Sequence, residues 1–163
     1  MVFTLTCRQL YHLSVGLFKK PVFVNKYIVS EFRAYPLDLD MFMHMNNIAY
    51  PRVAELASWQ LLAAVGFLST VWKGVYALVI TEQHVVYKRQ IKPFQKYEVH
   101  TNIKQIDNKW LDYTHIFLQH KDDVPPNAKP LEYAIITKRG VVKNMSGKTI
   151  KIEEYAQYLE RFN

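Results

Sequence analysis

The residues best suited to chemistry lie together between Leu37 and Tyr50, in the segment LDLDMFMHMNNIAY. Two carboxylates, one histidine and two asparagines stand here among Met and Phe residues. Apolar surroundings disfavour a charged carboxylate and raise its pKa, so such a group can act as a base or a nucleophile. If a helix begins at the asparagines, its free N–H groups can stabilise a developing oxyanion. This combination is the minimum needed for acyl transfer.

The same residues also allow other interpretations. Asp38 could be a turn residue, Asn46 and Asn47 simple helix caps, and His44 a structural histidine. A metal site made by Asp38, Asp40 and His44 is conceivable from their donor atoms. No further histidine or acid is positioned to complete that set, so we expect neither a metal nor a cofactor.

The element that must position these residues is a helix predicted over residues 47–65. Its charged residues are limited to Arg52 and Glu55, and Gly66 follows as a stop signal. An amphipathic surface helix would show a polar face. We therefore expect this helix to be buried on most sides.

Most of the remaining chain has the alternating or continuous apolar pattern of strands. The pair Asp107 and Asn108 marks a turn, and residues 121–127 with two prolines mark a surface connection between strands. Because the later connections are short, the sheet must be antiparallel. These features predict an α+β domain in which the sheet curls around the helix. The predicted strands are residues 25–35, 76–81, 84–91, 97–103, 111–117 and 131–142, and a closing helix is predicted over 152–162.

The motif Asp38-x-Asp40-x-x-x-His44-x-Asn46-Asn47-x-x-Tyr50, with Glu55 five residues later, resembles a known family. It is similar to the hotdog-fold acyl-CoA thioesterases of the 4-hydroxybenzoyl-CoA thioesterase branch, and in particular to the Them6-like members. A basic strand that ends in a Pro93-Phe94 turn adds to the resemblance, which runs from about residue 25 to 142. It implies a five- to six-stranded antiparallel sheet wrapped around one long central helix.

The resemblance also implies roles for the motif residues. Asp40 would attack the thioester carbonyl or activate a water, and the backbone N–H at Asn47 would bind the carbonyl oxygen. His44 and Asn46 would shape the turn, and Asp38 would be structural. Glu55 would orient the turn, although a related branch uses a helix acid in catalysis.

The implied substrate is an acyl-CoA, bound by a homodimer or tetramer. The acyl group would lie along the helix and the methionines, with Met43 and Tyr50 in contact. The CoA phosphates would meet basic residues, for which the candidates are Lys88, Arg89, Lys104 and Lys109. The family places glycine where this chain has Met43, and glycine permits an unusual backbone angle there. That departure keeps open a non-catalytic acyl-CoA or lipid-binding module.

The composition limits the remaining classes of function. The chain has 163 residues, is 50% hydrophobic and carries a net charge of +7. This apolar content excludes a disordered chain, and the modest charge outside the amino terminus argues against nucleic acid as a partner. A single cysteine, Cys7, rules out an internal disulfide and favours an intracellular protein.

Four of the seven net charges lie in the first thirty residues, which contain no acid. We predict an N-terminal segment over residues 1–24, a hotdog domain over 25–145 and a C-terminal helix over 146–163. The first segment is either a helix packed on the domain or a mitochondrial transit segment, and it is too short and polar to span a membrane. The expected location is the cytoplasm, with the mitochondrion as the alternative.

Overall fold

The computed structural model describes residues 2–18, 27–64, 67 and 73–154. Two short 3₁₀ turns, Pro36–Asp38 and Lys121–Asp123, connect larger elements. The helices and strands are α1 (Val2–Leu17), β1 (Ile28–Arg33), α2 (Ala49–Ala64), β2 (Tyr76–Tyr87), β3 (Lys96–Gln105), β4 (Trp110–Gln119) and β5 (Glu132–Asn144).

Within these residues the strands form one five-stranded sheet in the order β1-β3-β4-β5-β2, and every neighbouring pair is antiparallel. The predicted antiparallel α+β architecture is confirmed. At the β3–β4 hairpin, Asp107 Oδ1 accepts hydrogen bonds from the backbone N–H groups of Lys109 (2.7 Å) and Trp110 (2.8 Å). The predicted turn at Asp107 is therefore closed by its own side chain.

The sequence prediction is wrong about the strands after the helix. The two strands expected over residues 76–81 and 84–91 are one strand, β2, whose register with β5 shifts between Ile80 and Glu82. The polar pair Glu82-Gln83 does not end the strand, because β2 is an edge strand on which both faces can meet solvent. This register shift lets the pairing of β2 with β5 continue past the polar pair, as a β-bulge does.

The helix α2 is buried as its composition predicts, with twelve of its sixteen residues inside the protein. One side packs on the sheet: Tyr50 and Val53 contact the cluster around Phe117, and Leu61 joins a second cluster around Tyr113. Burial of these side chains is the main stabilisation of the fold.

The helix α1 covers another side of α2. A Cβ added at Gly16 would lie 2.7 Å from both the Cβ of Ala63 and the carbonyl oxygen of Gln60, so glycine is what permits this close approach. The Gln60 side chain is buried and bonded on both sides, to His12 of α1 and to the hydroxyl of Ser30 (2.7 Å). The amino-terminal helix therefore packs on the domain.

Several predicted features lie partly or wholly outside the described residues. The closing helix begins at Ile152, and its residues after 154 lie outside the described part, as do Asn25 and Gly66. No helix among the described residues is long and apolar enough to cross a membrane.

A buried histidine lies between α2 and the sheet. This residue is His115. Its Nδ1 lies 3.0 Å from the Thr101 hydroxyl oxygen, and its Nε2 lies 3.4 Å from the Ser58 hydroxyl oxygen. Because Ser58 already donates to the carbonyl of Ala54 (2.9 Å), Nε2 of His115 carries the proton and Nδ1 accepts from Thr101. Burial, together with the nearby Lys138, lowers the pKa of His115 to about 3.

This lowered pKa predicts a loss of stability in mild acid. Between pH 6.5 and about 3 the unfolded chain binds a proton at His115 that the folded chain does not, so the free energy of unfolding falls as the pH falls. Between pH 7 and pH 5 the loss is about 2 kcal/mol. His115→Gln keeps a donor and an acceptor but cannot titrate, and urea unfolding at the two pH values should show a correspondingly smaller loss. The exposed His84→Gln should keep the wild-type difference, and equal losses in all three proteins would contradict the assignment.

Candidate active site

The turn that carries the predicted motif is a small closed hairpin. Leu39 and Met45 form an isolated antiparallel bridge. Inside it, the N–H of Asp40 donates to the carbonyl of His44 (2.9 Å) and the N–H of Met43 donates to the carbonyl of Asp40 (3.1 Å). The backbone of residues 40–44 is thus held by its own hydrogen bonds.

The Asp40 side chain is fixed in the same hairpin. Its Oδ1 accepts from the backbone N–H groups of Phe42 (2.9 Å) and His44 (3.3 Å). The residue is half-buried, and its Oδ2 has no hydrogen-bond partner in the described part of the chain. One carboxylate oxygen therefore orients the group while the other is available to a ligand.

Met43 adopts the backbone conformation for which the family's glycine is suited. Its φ is 58°, in the left-handed region, and its side chain is mostly exposed. A non-glycine residue in this region carries a steric cost of roughly 1–2 kcal/mol. The substitution of methionine for glycine thus leaves the turn in shape but strained, and it puts a flexible apolar side chain at its tip.

Asp38 is the buried carboxylate of the motif, and its contacts hold neighbouring elements together. It is 1% exposed, pairs with Arg8 of α1 at 2.8 Å and accepts from the N–H of Tyr35 at 3.1 Å. A second guanidinium, that of Arg52, lies 4.0 Å away. Asp38 joins α1, the 3₁₀ turn and α2, which agrees with the structural role expected for it.

Asn46 and Asn47 lie just before α2, which begins at Ala49. The Oδ1 of Asn46 accepts from the N–H of Ile48 (2.9 Å), and the N–H of Asn46 donates to the carbonyl of Asp38 (2.8 Å). The carbonyl of Asn47 accepts from the Tyr87 hydroxyl (3.0 Å), whereas its N–H has no acceptor among the described residues. That N–H is the donor expected to meet a substrate carbonyl.

Tyr50, which is predicted to contact the substrate, lies in the core of this chain. It is 2% exposed, and its ring packs on those of Tyr87 (5.3 Å between centroids) and Phe117 (5.2 Å). Burial raises its pKa to about 12. Tyr50 therefore anchors the first turn of α2 to the sheet.

Glu55 does not orient the turn, in contrast to the prediction. It lies six residues into α2, about 9 Å along the axis, and its Oε2 accepts from Nζ of Lys138 on β5 at 3.0 Å. Lys138 is 4% exposed, so the pair neutralises a buried ammonium. Sequence reasoning missed Lys138, although its alternation with Ala134 and Ile136 on β5 indicates an inward-facing position.

A small cavity of about 180 Å³ adjoins this pair, between α2 and strands β2, β4 and β5. Glu55, Ser58 and Lys138 supply its polar wall, and Trp59 and Leu62 belong to its apolar wall. Glu55 thus has a pocket of its own, separate from the Asp40 hairpin.

The four basic residues predicted to meet CoA are divided between two ends of the sheet. Lys88 pairs with Glu132, and Arg89 donates to the carbonyl of Glu132 (3.3 Å), close to Tyr50. The other two belong to the β3–β4 hairpin, beside the end of α2, where Lys109 lies 4.8 Å over the ring of Trp110. The second pair, Lys104 and Lys109, is not brought to the Asp40 turn.

The metal site considered from the sequence is not formed by the described residues. Asp38 is engaged by Arg8, and the Asp40 Oδ1 by the backbone. In the described part of the chain, the metal-type donors that do cluster are Glu31, Glu98 and His120, within 4.8 Å of one another.

That cluster is already satisfied by protein groups. The ammonium of Lys121 is 2.8 Å from Glu31, and Glu98 pairs with His100 at 2.8 Å. We interpret it as an ion-pair network on the outer face of the sheet.

Both the sequence and the fold of this chain match known proteins. The sequence profile of the thioesterase-like superfamily matches residues 35–157. Protein THEM6 of Xenopus laevis is 23% identical over 116 residues, which cover 71% of this chain and 53% of that protein. The chain therefore spans about half the length of this curated relative.

Two solved structures show the same architecture. The probable thioesterase YbaW of Escherichia coli superposes with a TM-score of 0.67 at 16% identity, covering 77% of this chain and 90% of that one. A 1,4-dihydroxy-2-naphthoyl-CoA thioesterase from Synechocystis gives 0.67 at 13% identity, covering 80% and 93%. These likenesses establish the hotdog fold, and with the profile match over most of its length the chain belongs to the thioesterase-like superfamily.

Proposed function

We propose that this protein hydrolyses an acyl-CoA thioester to a free acid and coenzyme A. The observation that carries the proposal is the hairpin before α2, which fixes the Asp40 carboxylate a few residues before a helix start where the Asn47 N–H has no acceptor among the described residues. A fixed carboxylate and a free backbone donor at a helix N-terminus are the groups that thioester hydrolysis requires.

In this mechanism Asp40 acts as a general base or as a nucleophile. As a base it takes a proton from water while the water oxygen attacks the thioester carbonyl carbon. As a nucleophile it attacks that carbon directly, and water then hydrolyses the resulting anhydride. In both routes the N–H of Asn47 stabilises the negative oxygen, and the C–S bond breaks to release the CoA thiolate, which takes up a proton. His44 and Asn46 hold the turn in shape.

The acyl group would lie against the apolar tip of the hairpin. Met41 is 88% and Phe42 73% exposed, a poor arrangement for a chain that acts alone. We propose that a second copy of the chain covers this region and pairs with the exposed edge of β2, forming a homodimer with a continuous sheet. The cytoplasm remains the predicted location.

A non-catalytic acyl-CoA or lipid-binding module is the second candidate function. The observation that favours it is Met43, an exposed methionine that occupies the left-handed position where the family has glycine. Both functions use the same apolar region, and they differ in whether Asp40 performs chemistry.

The role of Asp40 is tested by Asp40→Asn. The variant keeps an Oδ1 that can accept from Phe42 and His44, so the turn persists while the base is lost. We expect kcat for acyl-CoA hydrolysis to fall by about 10²–10⁴-fold, measured by thiol release across aromatic, medium-chain and long-chain acyl-CoAs. Glu154→Gln, an exposed acid near the end of the described chain, is the matched control and should keep wild-type rates.

Glu55→Gln separates the two carboxylate sites. A loss confined to Glu55→Gln, with Asp40→Asn active, would transfer catalysis to the cavity beside Lys138. If the wild-type protein releases no thiol from any acyl-CoA yet binds them, the binding module is correct and hydrolysis is rejected.

The strain at Met43 is tested by comparing Met43→Gly with Met43→Ala. Both variants remove the same exposed side chain, but only glycine adopts φ of 58° without steric cost. We expect the glycine variant to be more stable than the alanine variant by about 1 kcal/mol in urea unfolding. If alanine is equally stable or more stable, the turn does not hold the left-handed conformation in solution.

A further inference from the structure

An open groove of about 740 Å³ runs between α1 and the edge strand β1. Its floor and far wall come from β1 and from Tyr35, Pro36 and Leu37, the residues that lead directly into the Asp38–Asp40 motif. The helix α1 forms the other wall and lies outside the range matched by the family profile. The groove is therefore made partly by a segment that the family profile does not include, and its lining reaches Leu37, three residues before Asp40 in the sequence.

Two of the cations that line this groove have no carboxylate partner among the described residues. Arg33 on β1 and Lys96 on β3 are direct partners across the antiparallel ladder, so their side chains share one face. Like charges placed opposite each other destabilise a sheet. Arg33 donates to the carbonyl of Phe94 (3.2 Å), but neither cation pairs with a carboxylate in residues 2–18, 27–64, 67 or 73–154.

The next pair on the same face of the sheet, two residues along the ladder, shows that the fold can neutralise two like charges from within the chain. Glu31 lies opposite Glu98 on the same two strands. Lys121 binds Glu31 at 2.8 Å and His100 binds Glu98 at 2.8 Å. Glu31 also lines the groove, but its charge is matched by Lys121 and Glu98 is matched by His100, whereas Arg33 and Lys96 line it with no carboxylate partner among the described residues.

The groove also offers aromatic surface beside these cations. Tyr11 of α1 and Tyr35 are 64% and 51% exposed, and both line it. Guanidinium and ammonium groups bind phosphate oxygens, and exposed tyrosine rings stack on bases. Cations and aromatic rings in one groove match a phosphorylated purine nucleotide better than a fatty chain or an isolated anion.

We propose that the groove between α1 and β1 binds the phosphorylated nucleotide end of the CoA thioester, with Arg33 and Lys96 as the phosphate ligands. The proposal rests on the thioester substrate proposed above and replaces Lys104 and Lys109 in that role. The pantetheine arm would then run past Leu37 to the Asp40 hairpin.

The experiment is calorimetric titration of the full chain with CoA, dephospho-CoA, pantetheine and inorganic phosphate. Arg33→Gln/Lys96→Gln should raise the Kd for CoA by about tenfold or more, since each lost charged hydrogen bond weakens binding substantially. Pantetheine, which has no nucleotide, should bind the variant as it binds the wild-type protein. Lys148→Gln/Lys151→Gln removes the same charge from two exposed lysines near the end of β5 and should leave the Kd for CoA within about twofold.

Three results would overturn the proposal. They are an unchanged Kd for CoA in Arg33→Gln/Lys96→Gln, a loss of CoA binding in Lys104→Gln/Lys109→Gln instead, and inorganic phosphate binding as tightly as CoA. Thermal unfolding of each variant verifies that it is folded, and Lys96→Gln alone should give an intermediate loss.

Binding and turnover are separable in this design. If no thioester is hydrolysed but CoA binding depends on Arg33 and Lys96, the groove is correct and the hydrolase function fails. If Asp40→Asn abolishes hydrolysis while Arg33→Gln/Lys96→Gln binds CoA normally, the hydrolase function is supported and the groove assignment fails.

Discussion

The burial of α2 is the constraint on which the rest of the structure depends. A helix with so few charges cannot face water, and it is covered by the sheet on one side and by α1 on another. Tyr50, packed between Tyr87 and Phe117, fixes where its first turn meets the sheet. Because the helix can begin in only one place, the Asp38–Asn47 segment is held at that point as well. The geometry of the candidate site is thus a consequence of core packing.

The elements were predictable from the sequence where local chemistry decides them. The apolar content of α2 and the alternation in β3 and β4 indicate their structure directly, and the Asp107 turn is closed by a bond within its own loop. The errors concern partners far apart along the chain. Glu82 and Gln83 suggested a break because nothing local shows that β2 is an edge strand. Glu55 was assigned to the turn from the family resemblance, and its partner Lys138, 83 residues away, is not indicated by any local pattern. The placement of Lys104 and Lys109 likewise follows from strand order, which spacing does not reveal.

The charges of this protein fall into two kinds. Some form ion pairs with an opposite charge on another element, such as Asp38 with Arg8, Lys138 with Glu55 and Glu31 with Lys121. Others stand without an opposite charge, as Arg33 and Lys96 do among the described residues. The first kind holds elements together, and the second kind is available to a ligand. The overall charge of +7 hides this distinction, since it counts both kinds alike.

The pairing of Arg8 with Asp38 has a consequence for how the amino terminus can be used. A transit segment is cut away after import, and a cut beyond residue 8 would remove the guanidinium that lies 2.8 Å from a carboxylate only 1% exposed. The mature protein would then keep a buried negative charge with Arg52 4.0 Å away, at a cost on the order of 3 kcal/mol. The part of α1 that carries Arg8 therefore cannot be removed by proteolysis without loss of the ion pair that supports the Asp38–Asp40 segment.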